Sequence, residues 1–275
     1  MTALLKNLPE LREDDRNEAG CPKYCRMVIL KNKEEIKKIR EAGRYAIDVL
    51  FYLKKFVKEG IRTKELEEAC VDRVNRTGNI KPAFKGYNGF PYCLCVSVND
   101  EVVHGMPGER VLADGDVVSL DFGVFYDGFC GDAALTYKVG EISKKAERLL
   151  SVTETSLYKG IAEAREGNRL HDISHAIQSH VEDAGFSVVR EFVGHGIGRN
   201  LHEEPQIPNY GEKGTGIRLK KGMVLAIEPM VNMGRSEVMI KQNGWTAVTK
   251  DGSLSAHFEH TVAITDNGPE ILSKL

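Results

Sequence analysis

The hydrophobic positions of the chain predict two helices followed by a long stretch of strands. In the first helix, apolar residues recur at helical spacing at Ile36, Ile39, Tyr45, Val49, Leu53 and Phe56. Asn32 followed by Glu35 matches a capping box at its start, and Gly60 is its predicted end. A second helix is predicted from residue 63 to about residue 77, where Gly78 ends it. From about residue 92 to residue 139 the pattern changes to that of strands.

This order of elements then occurs a second time. Helices are predicted over about 143–165 and 170–184, ended by Gly167 and Gly185, and strands return from about residue 188 to the end. No low-complexity linker separates the two parts, so one domain over 31–275 is expected. Residues 1–30 are polar and lack a sustained period, which predicts an N-terminal extension.

The two parts also match each other in sequence. A shift of 107 positions places residues 59–62 (EGIR) on residues 166–169 (EGNR). This repeat offset aligns further pairs without a gap: Gly78 with Gly185, Gly115 with Gly222, and Asp121 with Glu228. We therefore predict an internal duplication, with α+β halves of about 31–142 and 143–275 related by a pseudo-two-fold axis. One carboxylate from each half should face that axis.

Composition narrows the class of protein. A hydrophobic fraction of 41% and a charged fraction of 28% are ordinary for a globular protein. The net charge of −2 provides no general attraction for nucleic acid or for a membrane surface. Six cysteines are too sparse for a disulfide scaffold, and the sequence lacks a signal peptide or a spanning segment. We therefore expect a cytoplasmic protein.

Two carboxylates lie on a predicted hairpin. Asp127-Gly128 is a type I′ turn signal, and a turn there pairs Gly123 with Asp132. Asp121 and Asp132 then lie on one face as diagonal neighbours, roughly 7–8 Å apart. Two carboxylates on one apolar strand pair repel each other unless a cation lies between them. Solvated strand carboxylates remain the alternative.

Further residues favour a metal site. The glycine-rich segment 194–205 presents His195 and His202 in a predicted loop, where glycine allows the backbone to approach a ligand. Glu228 and Glu259 lie within apolar strand sequences, where an unpaired carboxylate is costly. A buried structural ion pair explains one such residue, but a metal site explains four acidic residues and a glycine-flanked histidine together.

From about residue 30 to the end, these motifs resemble the type I methionine aminopeptidases of the M24 peptidases, closer to the bacterial members. The resemblance implies the pita-bread fold, in which two α+β halves surround a central antiparallel sheet. It implies two divalent metal ions per chain, with Asp132 and Glu259 bridging both and Asp121 binding one. His195 and Glu228 would bind the other, and Glu228 would also act as the general base.

The resemblance also implies an activity and its substrate-binding residues. A methionyl aminopeptidase removes the initiator methionine from nascent proteins and peptides when the next residue is small, by attack of a metal-activated water on the scissile carbonyl. The segment 102–107 (VVHGMP) resembles the one that supplies a catalytic histidine, so His104 and His202 would flank the substrate. The methionine pocket would be lined by Phe84, Tyr87, Phe90, Cys95, Leu201 and Trp245. The oxygen-rich ligand set favours cobalt, manganese or iron, with zinc also open.

Two other functions stay open at this point. Aminopeptidase P and prolidase share the fold and the five ligands and cleave Xaa-Pro bonds, but they usually carry a larger N-terminal domain. A catalytically inactive pita-bread protein could serve as a binding module, although all five ligand positions are filled here. We expect a monomer that acts on peptide or nascent-chain N-termini without a membrane or specific nucleic acid; a transient ribosome contact is left open.

Overall fold

Four α-helices, one short 3₁₀ helix (Tyr87–Gly89) and fifteen strands make up the part of the chain that the computed structural model describes, residues 27–275. The helices are α1 (Lys33–Lys54), α2 (Thr63–Thr77), α3 (Lys144–Glu163) and α4 (Leu170–Asp183). The strands are β1 (Lys81–Pro82), β2 (Cys95–Val98), β3 (Glu101–Val103), β4 (Val117–Tyr126), β5 (Phe129–Lys138), β6 (Ser187–Val188), β7 (Gly194–Gly196), β8 (Glu203–Ile207), β9 (Val224–Ile227), β10 (Met230–Asn232), β11 (Val238–Ile240), β12 (Ala247–Thr249), β13 (Ser255–His257), β14 (Glu259–Thr265) and β15 (Gly268–Ile271).

One large antiparallel sheet joins the two halves of the chain. Its strands follow the order β1-β4-β5-β14-β9-β7-β8, with β2 also paired to β4 and β15 to β14. The two halves meet where β5 pairs with β14. Two smaller sheets, β13-β10-β6 and β11-β12-β3, complete the described fold. The architecture confirms the predicted α+β class with a central antiparallel sheet.

The helix boundaries follow the local signals, with one exception. The Asn32 side chain accepts a hydrogen bond from the Glu35 amide, and the Glu35 side chain accepts one from the Asn32 amide, as predicted. The prediction that α1 extends to Gly60 is wrong, because α1 ends at Lys54. By Gly60 the chain has already turned toward α2. The Gly60 amide donates to Leu112 O at 2.8 Å. This tertiary contact has no local signal.

The predicted repeat reappears in the hydrogen bonds. Contacts that recur at the repeat offset include Gly60 N to Leu112 O with Gly167 N to Leu219 O, Thr63 N to Arg110 O with Leu170 N to Ile217 O, and the bridges Arg62–Val111 and Arg169–Arg218. Each of these contacts fixes the start of the second helix of its half against a later segment. They support the duplication, while the division into halves near residue 142 stays a prediction.

The β4–β5 hairpin has the predicted register. Asp127 and Gly128 form its turn with φ values of 45° and 79°, as a type I′ turn requires. Tyr126 pairs with Phe129, and Gly123 pairs with Asp132. The hairpin therefore brings Asp121 and Asp132 to one face of the sheet.

Separate hydrophobic cores support the two halves. The first core packs α1 and α2 against β2, β4 and β5, with Leu50, Leu66 and Phe122 fully buried. The second packs α3 and α4 against β9 and β14. A third apolar cluster, which includes Phe84, Phe90 and Leu201, lies between them. This third cluster forms one wall of the cavity described below.

A buried lysine lies close to the first described residues. Residues 1–26 of the predicted extension lie outside the described residues, and residues 27–30 form neither helix nor strand. The Lys31 Nζ then lies 2.6 Å from Glu203 Oε2, and both side chains are buried. The Lys31 amide also donates to Gly222 O. The division into an extension over 1–30 and one domain over 31–275 stays a prediction.

Candidate active site

All thirteen residues that the sequence analysis singled out line one cavity of about 260 Å³. They are His104, Asp121, Asp132, His195, His202, Glu228 and Glu259, together with the predicted pocket residues Phe84, Tyr87, Phe90, Cys95, Leu201 and Trp245. The cavity lies beside the centre of the nine-stranded sheet, where strands of the two halves meet.

Three acidic side chains gather on three neighbouring strands. Asp121 on β4 and Glu259 at the start of β14 both lie opposite Ala134 of β5. Asp132 precedes Ala134 by two residues, so it lies on the same face of β5. Gly123 opposite Asp132 has no side chain to fill the space, and Phe84 Cε1 lies 2.7 Å from where its Cβ would be. The strand register therefore brings these three carboxylates together on one face of the sheet.

His195 and Glu228 come from the other half of the sheet. His195 lies in β7 opposite Ala226 of β9, and its Nε2 is 3.6 Å from Glu228 Oε1. Glu228 and Pro229 separate β9 from β10. The predicted loop at 194–205 is wrong for His195, which pairs within the sheet, and correct for His202, which lies between β7 and β8. The sheet therefore fixes His195 more firmly than a loop would.

Among the described residues, the carboxylates in this cluster lack the positive charge that would stabilise their ionised forms. Burial, followed by repulsion from neighbouring carboxylates, raises the pKa of Asp121, Glu228 and Glu259 well above the usual range. Burial also raises the pKa of Asp132 to about 7. Asp121 Oδ1 and Glu259 Oε1 are buried without a hydrogen-bond partner. Orphaned acceptors of this kind are what a bound cation satisfies.

Donor atoms of Asp132, His195 and Glu259 all lie within 4.8 Å of one another, a spacing that one metal ion can span. Burial lowers the pKa of His195 to about 3, so the imidazole is neutral near pH 7. A neutral imidazole is the form that binds a metal. The residues present therefore fit a site for divalent cations.

The two other histidines lie on the cavity wall. His104 follows β3 with φ of 57°, and its ring makes an edge contact with Phe192 at 5.4 Å. His202 Nδ1 lies 2.8 Å from Tyr87 Oη, and its ring centroid is 4.2 Å from that of His195. Burial lowers the pKa of both His104 and His202 to about 4. Both rings are therefore neutral near pH 7 and can donate one hydrogen bond each.

An apolar end of the cavity lies beside the carboxylates. The rings of Phe90 and Trp245 meet edge to face at 5.2 Å. Cys95 lies opposite Asp121 on the neighbouring strand, and burial raises the pKa of its thiol well above the usual range. The thiol is therefore protonated and acts as a small apolar group. Trp245 follows the turn at 241–244.

His257 lies beside the carboxylates and was not predicted from the sequence. Its Nε2 lies 3.4 Å from Glu228 Oε2, and the side chain is only 2% exposed. Donor atoms of Glu228, His257 and Glu259 lie within 4.8 Å of one another. His257 precedes Glu259 by two residues at the boundary between strands, which places it on the same face. That alternation was the available signal.

Comparison with known proteins identifies the family. Residues 37–266 match the profile of metallopeptidase family M24. The chain is 55% identical over 249 residues to methionine aminopeptidase 1 of Bacillus subtilis, covering 90% of this chain and 100% of that protein. A crystal structure of methionine aminopeptidase from Thermotoga maritima is 50% identical, with a TM-score of 0.89 and coverage of 90% and 100%.

The fold is shared more widely than this. Prolidase from Pyrococcus furiosus is only 24% identical, with a TM-score of 0.73, and the match covers 90% of this chain and 66% of that one. That likeness establishes the pita-bread fold alone. Across residues 27–275, none of the helices has the length and apolar character needed to cross a membrane. On the identity and full-length coverage of its relatives, the chain belongs to metallopeptidase family M24 and, within it, to the type I methionine aminopeptidases.

Proposed function

We propose that this chain removes the N-terminal methionine from proteins and peptides whose second residue is small, using two divalent metal ions. The observation that carries this proposal is one cavity that combines two buried and two half-buried carboxylates, three neutral histidines and an aromatic pocket. A Xaa-Pro peptidase needs the same fold and carboxylates, so substrate preference separates the two functions.

In this proposal Asp132 and Glu259 would hold both cations, Asp121 would hold one, and His195 with Glu228 would hold the other. The grouping of Asp132, His195 and Glu259 supports it, as do the unpaired oxygens of Asp121 and Glu259. Carboxylate-rich sites favour manganese, iron or cobalt, and a site with imidazole also admits zinc.

Divalent cations held there would polarise the scissile carbonyl and lower the pKa of a bound water to roughly 7. The Glu228 carboxylate accepts the proton of the attacking water, because its side chain reaches the cavity from the end of β9. Tyr87 can donate its hydroxyl hydrogen to His202 Nδ1 at 2.8 Å. That tautomer leaves the proton on His202 Nε2, which can donate to the carbonyl oxygen. His104 donates to the scissile amide nitrogen.

Methionine binds in this proposal at the apolar end of the cavity, against Phe90, Trp245 and Cys95. A thioether makes favourable contacts with aromatic ring edges, worth about 0.3–1.5 kcal/mol each. Phe84, Tyr87 and Leu201 complete the lining. A shallow space for the second residue restricts cleavage to small side chains. In this proposal the substrates are the N-termini of peptides or nascent chains in the cytoplasm. The enzyme acts as a monomer, with or without a transient ribosome contact.

The test combines metal content with substrate choice in one preparation. We expect about two divalent ions per chain at saturation. We also expect cleavage of Met-Ala-Ser but not of Met-Lys-Ser. Chelation should abolish cleavage, and manganese, iron or cobalt should restore it. Full activity in a metal-free preparation would overturn the mechanism, whereas preferential release of residues other than methionine from a Xaa-Pro series would establish the aminopeptidase P alternative.

A further inference from the structure

A second group of metal-binding atoms lies beside the proposed ligands and includes His257. Donor atoms of Glu228, His257 and Glu259 lie within 4.8 Å of one another. Glu259 also belongs to the group formed with Asp132 and His195, so the two groups meet at one carboxylate. Each group contains one imidazole. A second imidazole, that of His257, therefore lies close to Glu228 and Glu259 among the described residues.

The His257 Nε2 atom is buried and has no hydrogen-bond partner among residues 27–275. Glu228 Oε2 is the neighbouring acceptor, at 3.4 Å. This distance is long for an N–H···O hydrogen bond, which usually measures about 2.9–3.0 Å. Two donors that bind one cation at about 2.1 Å with tetrahedral angles are separated by roughly 3.4 Å. The spacing therefore fits two ligands of one ion better than a direct hydrogen bond.

The backbone holds this imidazole in place. Thr136 Oγ1 donates to His257 O at 2.7 Å and accepts from His257 N at 3.0 Å. Ser119 Oγ lies 2.8 Å from the same threonine oxygen and completes this buried network. On the other side, His257 pairs with Met230, which lines the cavity. The backbone that carries this imidazole is therefore fixed on both sides, as a preorganised ligand position requires.

We infer that His257 Nε2 is a ligand of the cation held by Glu228 and Glu259, so that the centre has two imidazole ligands. This inference rests on the proposed two-metal site. It changes the expected metal preference, because imidazole suits iron, cobalt and zinc better than it suits manganese. Replacing His257 by glutamine should therefore weaken cobalt binding more than manganese binding.

The experiment compares the wild-type chain with His257→Gln and with His175→Gln on α4, a matched control outside the cavity. Apoprotein is titrated with cobalt(II) and with manganese(II) by calorimetry. Pulsed electron paramagnetic resonance of the manganese-loaded protein then counts the coupled histidine nitrogens. We expect His257→Gln to weaken one of the two cobalt sites about 10–100-fold and to remove one nitrogen coupling. His175→Gln should match the wild type in both measurements.

Unchanged cobalt affinity and nitrogen coupling in His257→Gln would overturn the inference. If this variant does not fold, the cobalt-loaded wild-type crystal structure decides: a His257 Nε2 to metal distance near 2.0–2.1 Å supports ligation, and a distance beyond bonding range refutes it. Failure of the proposed function is distinguished by activity. In that case the metal-loaded wild type would not release methionine from Met-Ala-Ser, whether or not His257 binds metal.

Discussion

The two halves of the molecule share a scaffold but differ at the strand that carries the equivalent carboxylate. In the N-terminal half, β4 runs unbroken from Val117 to Tyr126, with Asp121 in its middle. At the equivalent place in the C-terminal half, β9 ends at Ile227, and Glu228 and Pro229 precede β10. Proline has no amide hydrogen for a sheet hydrogen bond. The break allows the longer glutamate to leave the ladder and reach both His195 and His257.

The halves also differ in how their helices pack. α1 lies directly on the backbone of β5, where a Cβ on Gly131 would lie 2.3 Å from Gly43 N. In α3 the close neighbour of Gly160 is a side-chain atom, Ile177 Cδ1 of α4, at 2.8 Å from its Cβ position. Backbone cannot move aside as the end of a side chain can. The two halves therefore share the contacts that fix the start of their second helices but differ in how their helices pack.

The largest effect is expected at the carboxylates. Asp132→Ala and Glu259→Ala should disturb both metal positions, whereas Asp121→Ala should weaken mainly one. We expect a loss of at least about 10³-fold in kcat/KM for the bridging residues, about 4 kcal/mol. Metal analysis and Met-Ala-Ser kinetics measure both effects. If Asp132→Ala retained two metal ions, the proposal that Asp132 contacts both ions would be wrong.

The next largest effect is expected at the two neutral histidines, one from each half. His104→Ala and His202→Ala should each lower kcat by about 10²–10³-fold, because each removes a donor to the transition state. KM should change less than kcat, and metal content should stay at the wild-type level. Loss of metal from either variant would make that histidine a ligand, and an unchanged kcat would remove its catalytic role.

The packing difference predicts unequal effects of adding one methyl group. Gly131→Ala should lower the free energy of unfolding by about 1–3 kcal/mol, since the methyl group meets helix backbone. Gly160→Ala should cost less, because Ile177 can change its rotamer and alanine favours a helix over glycine by about 1 kcal/mol. Urea denaturation measures both. Equal losses would mean that the α3–α4 contact is as rigid as the α1–β5 contact.

The smallest effect tests the shared scaffold itself. Gly78 and Gly185 follow α2 and α4 at equivalent positions of the repeat, with φ values of 78° and 79°. A Cβ at either position would meet nothing within 4 Å, so only backbone strain is at stake. Gly78→Ala and Gly185→Ala should each cost about 1–2 kcal/mol, with the same loss for both. Clearly different losses in urea denaturation would show that the two helix ends are not equivalent.

Local signals were sufficient for much of the fold. The capping box at Asn32 and the turn at Asp127-Gly128 depend on residues close together in the chain, and both are confirmed. The turn also fixes the register that joins Asp121 and Asp132 on one face. The end of α1 was misplaced because a contact between Gly60 and Leu112 redirects the chain. Such a contact joins residues far apart in sequence, which a periodic pattern cannot report.

The sequence by itself determined the helices, the hairpin, the repeat offset and, through family resemblance, the cluster of acidic and histidine residues. Only the tertiary structure decided that His195 lies within the sheet and that His257 faces Glu228 at 3.4 Å. Periodicity gives the face on which a side chain lies, but the distance between side chains depends on which strands pair. The pairing of β14 with β5 and β9 brings the two halves together and creates the site.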